Sequence, residues 1–294
     1  MNYQEFIEFV IAKVKNELGS EYQVSVRSVL KNNSVRLFGL VIRHGCDNIS
    51  PTIYLEPFYK SVSAGEDAEQ VAMQVISQYR RLLKAEQPDI SFFEDFERVK
   101  ELLYCRLVSF EKNRELLKEG PYEPFMDLVL LPYCLIENEE ARTMSILIKH
   151  EHVKYWHVSN EEIMEIAKRN TRNLFGEVLT DFTQFMPASM LPDEFNGFMY
   201  VLTNRTQYYG AALMIYKDIF ERFSQEHETD ICIIPSSIHE VILIPVKSVT
   251  DSGDINRTIE EVNQVVVEEE EILSNHAYYY IRNKGFLEPE NYLN

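Results

Sequence analysis

Apolar residues recur one helical turn apart at the start of the chain, at Phe6, Val10 and Val14, with Ile7 and Ile11 beside them, and Gly19 ends the run. This spacing predicts an amphipathic helix over 3–18. The period then shortens. Residues 22–29 alternate, 35–42 are rich in β-formers, and Lys31-Asn32-Asn33 lies between them. Asparagine tolerates the left-handed backbone of a tight turn, so the pair predicts a β-hairpin. A short third strand is expected at 51–55. A second helix is expected over 67–83, with Val71, Ala72, Val75, Ile76 and Tyr79 facing inward, before Pro88 and Asp89 interrupt the pattern.

Beyond that break, Phe93, Phe96 and Val99 predict a helix over 92–103, followed by a strand to 110 and a short helix over 113–118. The apolar runs 125–136 and 143–148 flank Glu137-Asn138-Glu139-Glu140, a second hairpin. Ser159 and Glu162 form a capping-box pattern ahead of a helix whose inner stripe is Ile163, Ile166 and Ala167. Residues 176–197 have no clean period and contain Pro187, Pro192 and Gly197, which suggests a connector. A third hairpin is expected from 198–203 and 210–216 across Asn204-Arg205, then a short helix over 217–225. A fourth is expected from 231–234 and 240–246. Asp254 should cap a last helix, and 277–281 should be the final strand.

Hairpins followed by helices, recurring about four times without a shared signature, point to an α+β fold with largely antiparallel sheets in two lobes. The division expected is 1–88 for an N-terminal helix, hairpin and helix lobe, 89–175 for a middle hairpin–helix region, 176–197 for a connector, and 198–294 for a C-terminal double-hairpin lobe.

Composition narrows the function classes. Across 294 residues, 47 acidic side chains outnumber 29 basic ones, a net charge of −18. Phosphate backbones and anionic lipid attract basic surfaces, so direct nucleic-acid or membrane binding is not expected. Arg80, Arg81 and Lys84, and Lys168, Arg169 and Arg172, fall within helical patterns and read as solvated faces. No run approaches the 18 apolar residues of a membrane span. The opening Met1 to Glu5 lacks the basic region of a signal peptide. The four cysteines, Cys46, Cys105, Cys134 and Cys232, have no paired spacing, and the last three lie in apolar runs where a thiol behaves as a small hydrophobe. A cytoplasmic location follows as the expectation.

Candidate chemistry is sparse. Glycine-rich phosphate loops and GxSxG are missing from the sequence, and no cofactor is expected. His150, His152 and His157 cluster around Glu151. On a strand, His150 and His152 would share one face as zinc donors do, but the spacing matches no recognised ligand set, and a polar strand end is the plainer reading. The turn Ser236-Ser237-Ile238-His239-Glu240 holds the ingredients of nucleophilic catalysis in five residues. Triads assemble from separate elements, so the plainer reading is serines bonded to turn backbone. Thr203, Asn204 and Arg205 are either a polar turn or a ligand-facing loop. Glu268 to Glu271 reads as a solvated end of the last helix or a cation site, and Trp156 as a core anchor.

Several strings carry a further signal: Leu30-Lys-Asn-Asn33, Asn48-Ile-Ser-Pro-Thr-Ile-Tyr-Leu55, Ser91-Phe-Phe-Glu-Asp-Phe96, Met199-Tyr-Val-Leu-Thr-Asn204, Gly210-Ala211 and Ile234-Pro-Ser-Ser-Ile-His-Glu-Val241. With these the chain resembles the bacterial domain of unknown function 5688 family over nearly its full length. Gly285 to Pro289 gives a fainter likeness to the domain of unknown function 1444 family. The resemblance implies a stand-alone bacterial cytoplasmic protein and assigns no activity. Three functions are therefore weighed: a non-catalytic binding or regulatory protein that takes a partner protein or small ligand; a hydrolase using Ser236 or Ser237 with His239 and Glu240; and an acidic mimic of nucleic acid.

Overall fold

A computed structural model describes residues 1–44, 50–84, 90–136, 144–184, 199–246 and 253–286. Cys46, the expected turn at 137–140, Pro187, Pro192, Gly197 and the side chain of Asp254 lie outside the described residues. The chain divides into two compact units. The first comprises 1–31 and 35–89, the second 32–34 and 90–294.

The first unit holds α1 (Tyr3–Leu18), β1 (Tyr22–Leu30), β2 (Arg36–His44), β3 (Thr52–Tyr54), α2 (Glu56–Ser63) and α3 (Ala68–Lys84). Asn2 and Glu5 form a reciprocal capping box at the start of α1, and Gly19 leaves its end at φ +98°, a conformation that favours glycine. β1 and β2 pair antiparallel from Tyr22 opposite His44 to Leu30 opposite Arg36, and β3 joins the far side of β2. The two-residue period sends Leu40, Ile42 and Ile53 into a core with Phe6, Val10 and Val14 of α1 and Val71, Val75, Ile76 and Tyr79 of α3. Burying each such aliphatic side chain contributes roughly 1.5–3 kcal/mol. The opposite face of the hairpin carries Gln23, Ser25 and Arg27, all exposed.

The second unit opens with α4 (Phe96–Val99), β4 (Leu103–Ser109), β5 (Glu123–Phe125), β6 (Leu128–Ile136) and β7 (Met144–Leu147), then α5 (His150–Trp156) and α6 (Asn160–Phe175). β4 lies on one edge of β6, while β5 and β7 share the other. Ser159 caps α6 by accepting from Glu162 N. On α6, Thr171 Oγ1 accepts from Cys105 N, so a helix side chain satisfies a backbone donor of β4.

β8 (Val178–Asp181), β9 (Tyr200–Thr203), α7 (Lys217–Glu226), β10 (Asp230–Ile234), β11 (Val241–Val246), α8 (Gly253–Val265), β12 (Tyr278–Ile281) and β13 (Gly285–Phe286) complete the unit. Their strands form an antiparallel sheet ordered β13-β12-β10-β11-β9-β8. Ile259 of α8 packs on Cys232, Ala277 and Tyr279. The architecture is α+β with antiparallel sheets, as the hairpin-and-helix pattern predicts.

Four local expectations are corrected. The helix over 92–103 is broken at Asp95, whose extended backbone lets its carboxylate cap Glu97 N; a 3-10 turn, α4 and another 3-10 turn replace it. Residues 210–215 form buried 3-10 turns rather than a strand, and β9 pairs with β11 and β8 instead of with that segment. Residues 178–181, read as connector, form β8. His150 to Trp156 is the helix α5, not a strand end. Consecutive helical residues turn by about 100°, so His150 and His152 do not share a face.

Candidate functional site

The turn between β10 and β11 is the floor of a cleft of about 520 Å³ lined by Ser236, His239, Glu240, Thr206, Tyr208 and Glu271, with Phe182, Val201 and Ile242 as its apolar wall. Every described residue of this cleft belongs to the second unit.

The turn is built around Ser237. Its buried hydroxyl donates to Glu240 Oε1 at 3.0 Å and accepts from the backbone N–H of His239 at 3.0 Å. Hydroxyls commonly close turns this way. Ser237 and His239 thus meet through backbone, not through the imidazole. The ring is held from two sides. Tyr209 N donates to Nδ1 at 3.1 Å, and Nε2 faces Glu271 Oε1 at 3.4 Å. A backbone N–H can bond only to an unprotonated ring nitrogen, so the neutral ring carries its proton on Nε2, toward the carboxylate. Below the ring, the His239 carbonyl accepts from Thr203 Oγ1 at 2.9 Å. Ser236 lines the cleft, and among the described residues no hydrogen bond engages its hydroxyl.

Asn204 and Arg205 have different places. Asn204 is buried; its Nδ2 donates to Tyr208 O at 2.7 Å, while Oδ1 accepts from Thr206 N and Oγ1. It shapes the loop that brings Thr206, Gln207 and Tyr208 to the cleft and does not line it. Arg205 is exposed, lies against Gly176 and does not line the cleft. Gly210 ends the loop where a Cβ would come within 2.6 Å of the His239 carbonyl oxygen.

Four contributors take parts in the site that sequence reasoning did not assign to them. Thr203 is one. Tyr209 is another: its ring lies 5.3 Å from that of His239 and rests on the Arg106 guanidinium at 3.5 Å. Arg106 stacks on Tyr133 as well, at 3.8 Å, and donates to the Tyr104 hydroxyl. Burial pushes the Tyr209 phenol above its ordinary pKa. Arg106 was visible as the one charged residue in an otherwise apolar strand. The last is Glu271, read as part of a solvated helix end or of a cation site. Residues 269–271 form a 3-10 turn instead. Ile238 N donates to Glu271 O, and Asn33 Nδ2 donates to the carbonyls of Glu269 and Ile272, both at 2.7 Å. Asn33 is itself buried, and its N–H donates to Asn113 Oδ1.

The other candidates lie apart from the cleft. His152 Nδ1 accepts from Lys149 N, and its ring packs on Phe93 and Trp156. Burial lowers its pKa. His157 caps α5 with left-handed backbone. Among the described residues no group of three His, Cys, Asp or Glu could hold a metal ion. Cys105, Cys134 and Cys232 are free and buried, and burial pushes their thiols up to about 12, 12 and 11. No helix among the described residues is long and apolar enough to cross a membrane.

No curated protein and no solved structure matches the chain. One family model, described as a family of unknown function (DUF5688), matches residues 3–282. Thr203, Ser236, His239 and Glu240, all within the strings that carry the resemblance, line one cleft in a chain that belongs to the DUF5688 family.

Proposed function

We propose that this is a non-catalytic binding protein whose cleft between the β10–β11 turn and the Glu269–Glu271 turn takes a small ligand with a cationic or donor-rich head. The observation that carries this reading is the engagement of the His239 ring: Nδ1 accepts from Tyr209 N and Nε2 faces Glu271, so neither nitrogen is directed at a serine hydroxyl. General-base catalysis requires a ring nitrogen free to take the nucleophile's proton. Ser237 is likewise committed, to Glu240.

The lining suggests the ligand's chemistry. Glu240 and Glu271 are acceptors, no Lys or Arg among the described residues lines the cleft, and Phe182, Val201 and Ile242 offer an apolar wall. Carboxylates favour ammonium or guanidinium groups over phosphates and carboxylates. The cytoplasm is the proposed place of action, supported by buried free thiols of high pKa. Direct contact with nucleic acid or membrane is not part of the proposal, given the net charge of −18.

A thermal-shift comparison tests this. Amino sugars and other primary amines are screened against matched carboxylates and phosphates. A ligand at a hundred times its Kd stabilises the fold by about 2.7 kcal/mol. The expected result is a shift with amines that Glu271→Gln abolishes. Shifts confined to anions, or amine shifts unchanged by Glu271→Gln, contradict the reading.

A further inference from the structure

A second feature belongs to the first unit and is independent of the cleft. Among the described residues β1 is an edge strand: it pairs with β2 on one side only, and β3 lies beyond β2. In an antiparallel pair, every second residue turns its N–H and C=O away from the partner. A nine-residue edge therefore presents a row of backbone donors and acceptors that another strand can use.

The surroundings of that edge are basic. A groove of about 410 Å³ runs along β1, lined by Lys15 of α1, Gln23, Ser25 and Arg27 of β1, and Arg43 of β2. Gln23 pairs directly with Arg43, and Arg27 lies on the same sheet face four residues along β1. Lys15, Arg27 and Arg43 are exposed, and among the described residues none makes an ion pair. Elsewhere the described cations are commonly matched: Lys13 with Glu69, Lys149 with Glu119, Lys168 with Glu123, and Arg172 with Glu177 and Asp218. Three unmatched cations around one groove stand out in a chain of net charge −18.

From the free edge and these cations together, we infer that β1 is a docking strand for an acidic peptide segment of a partner protein, added to the sheet as a fourth strand. Backbone bonds along β1 give the pairing, Arg27 and Arg43 select acidic side chains at alternate positions on their sheet face, and Lys15 adds positive charge beside the edge. A second copy of the chain is the less suitable occupant. Pairing two β1 edges about a two-fold axis would place the cations of both copies along one seam. Charged side chains also guard edges against pairing of any kind, and that role requires that no acidic peptide bind.

Fluorescence anisotropy of the full chain separates these cases. The probes are a nonapeptide alternating Thr and Glu, its Thr–Lys counterpart, and two Thr–Glu versions N-methylated at alternate residues, one for each edge of the peptide. The inference expects binding of the Thr–Glu peptide and none of the Thr–Lys peptide. It expects a loss of about tenfold or more for one of the two N-methylated versions, and a comparable loss in the Arg27→Glu/Arg43→Glu double variant. Both positions are exposed, and the N-methyl arm uses the unaltered protein. Failure of the Thr–Glu peptide to bind, equal binding of both N-methylated forms, binding undiminished in the double variant, or a β1-mediated dimer displacing the peptide would each overturn it.

Discussion

Asn33 concentrates much of the second unit's polar chemistry in one side chain. It sits at φ +57°, buried, with its amide donating to two carbonyls of the segment that carries Glu271. Two substitutions separate its roles. Asn33→Gly keeps left-handed backbone accessible but leaves the Glu269 and Ile272 carbonyls without their donor, at a cost of about 1–3 kcal/mol. Asn33→Ala adds the cost of forcing alanine to positive φ, and should be the worse by roughly 1 kcal/mol. Urea unfolding checks the order; equal stability of all three proteins would show that the bonds hold nothing. Gly210→Ala should cost at least about 2 kcal/mol, because its Cβ would meet the His239 carbonyl oxygen and Asn204 N, backbone atoms that cannot swing aside. The same unfolding experiment reads it, and a change under 0.5 kcal/mol, about the scatter of neutral surface substitutions, would contradict the packing. The Asn33 turn was legible, since its residue type calls for unusual backbone. Its carbonyl partners, 236 and 239 residues away, were not, because no local period records a distant acceptor.

Among elements, legibility follows how much of the folding information is local. α1, β1–β2, α3, α6 and β10–β11 have clean periods and caps in their own sequence, and they form. The segments that differ are governed from elsewhere. Residues 210–215 read as strand by composition, but Gly210 is wedged against the β10–β11 turn, and Ala211 N donates to Ile238 O, so the chain coils. β8 is short and half-buried, held by pairing with β9 rather than by its own pattern. One tertiary bond between elements has a pH signature. His276, just before β12, bonds Asp127, just before β6, at 2.9 Å. Burial opposes the charged ring, but the bond to Asp127 outweighs it and raises the His276 pKa above 6.5. Burial likewise opposes the Asp127 carboxylate, and His276 outweighs it, lowering that pKa below 3.8. The histidine's contribution is complete below pH 6.5 and fades as pH rises through the raised value. The aspartate's is complete above pH 3.8 and fades as pH falls through the lowered one. Both are present between those limits, where a partly exposed pair contributes about 0.5–1 kcal/mol. His276→Gln should therefore lose stability at pH 6 relative to the parent and converge with it near pH 9. A pH-independent difference in melting temperature would contradict this account.

At the scale of the molecule, the fold class was readable because hairpins and helices succeed one another along the chain, whereas the cleft was readable only in part. The serine–histidine turn drew attention as a reactive cluster, and its true arrangement depends on Tyr209, Thr203 and Glu271 from three other segments. The net charge of −18 makes a further prediction: self-repulsion destabilises the compact state, and salt screens it. Raising NaCl from 10 to about 150 mM, where the screening length falls toward 8 Å, should raise the melting temperature; a fall would mean that the ion pairs outweigh the repulsion. The central claim is that the cleft binds without catalysis, and it rests on the state of one imidazole. Nitrogen-15 correlation of the His239 ring in the full chain, taken at a pH where the ring is neutral, reads that state directly. The account predicts the proton on Nε2 with Nδ1 accepting from Tyr209 N. A proton on Nδ1, with Nε2 unprotonated and bonded to the Ser236 or Ser237 hydroxyl, would contradict it.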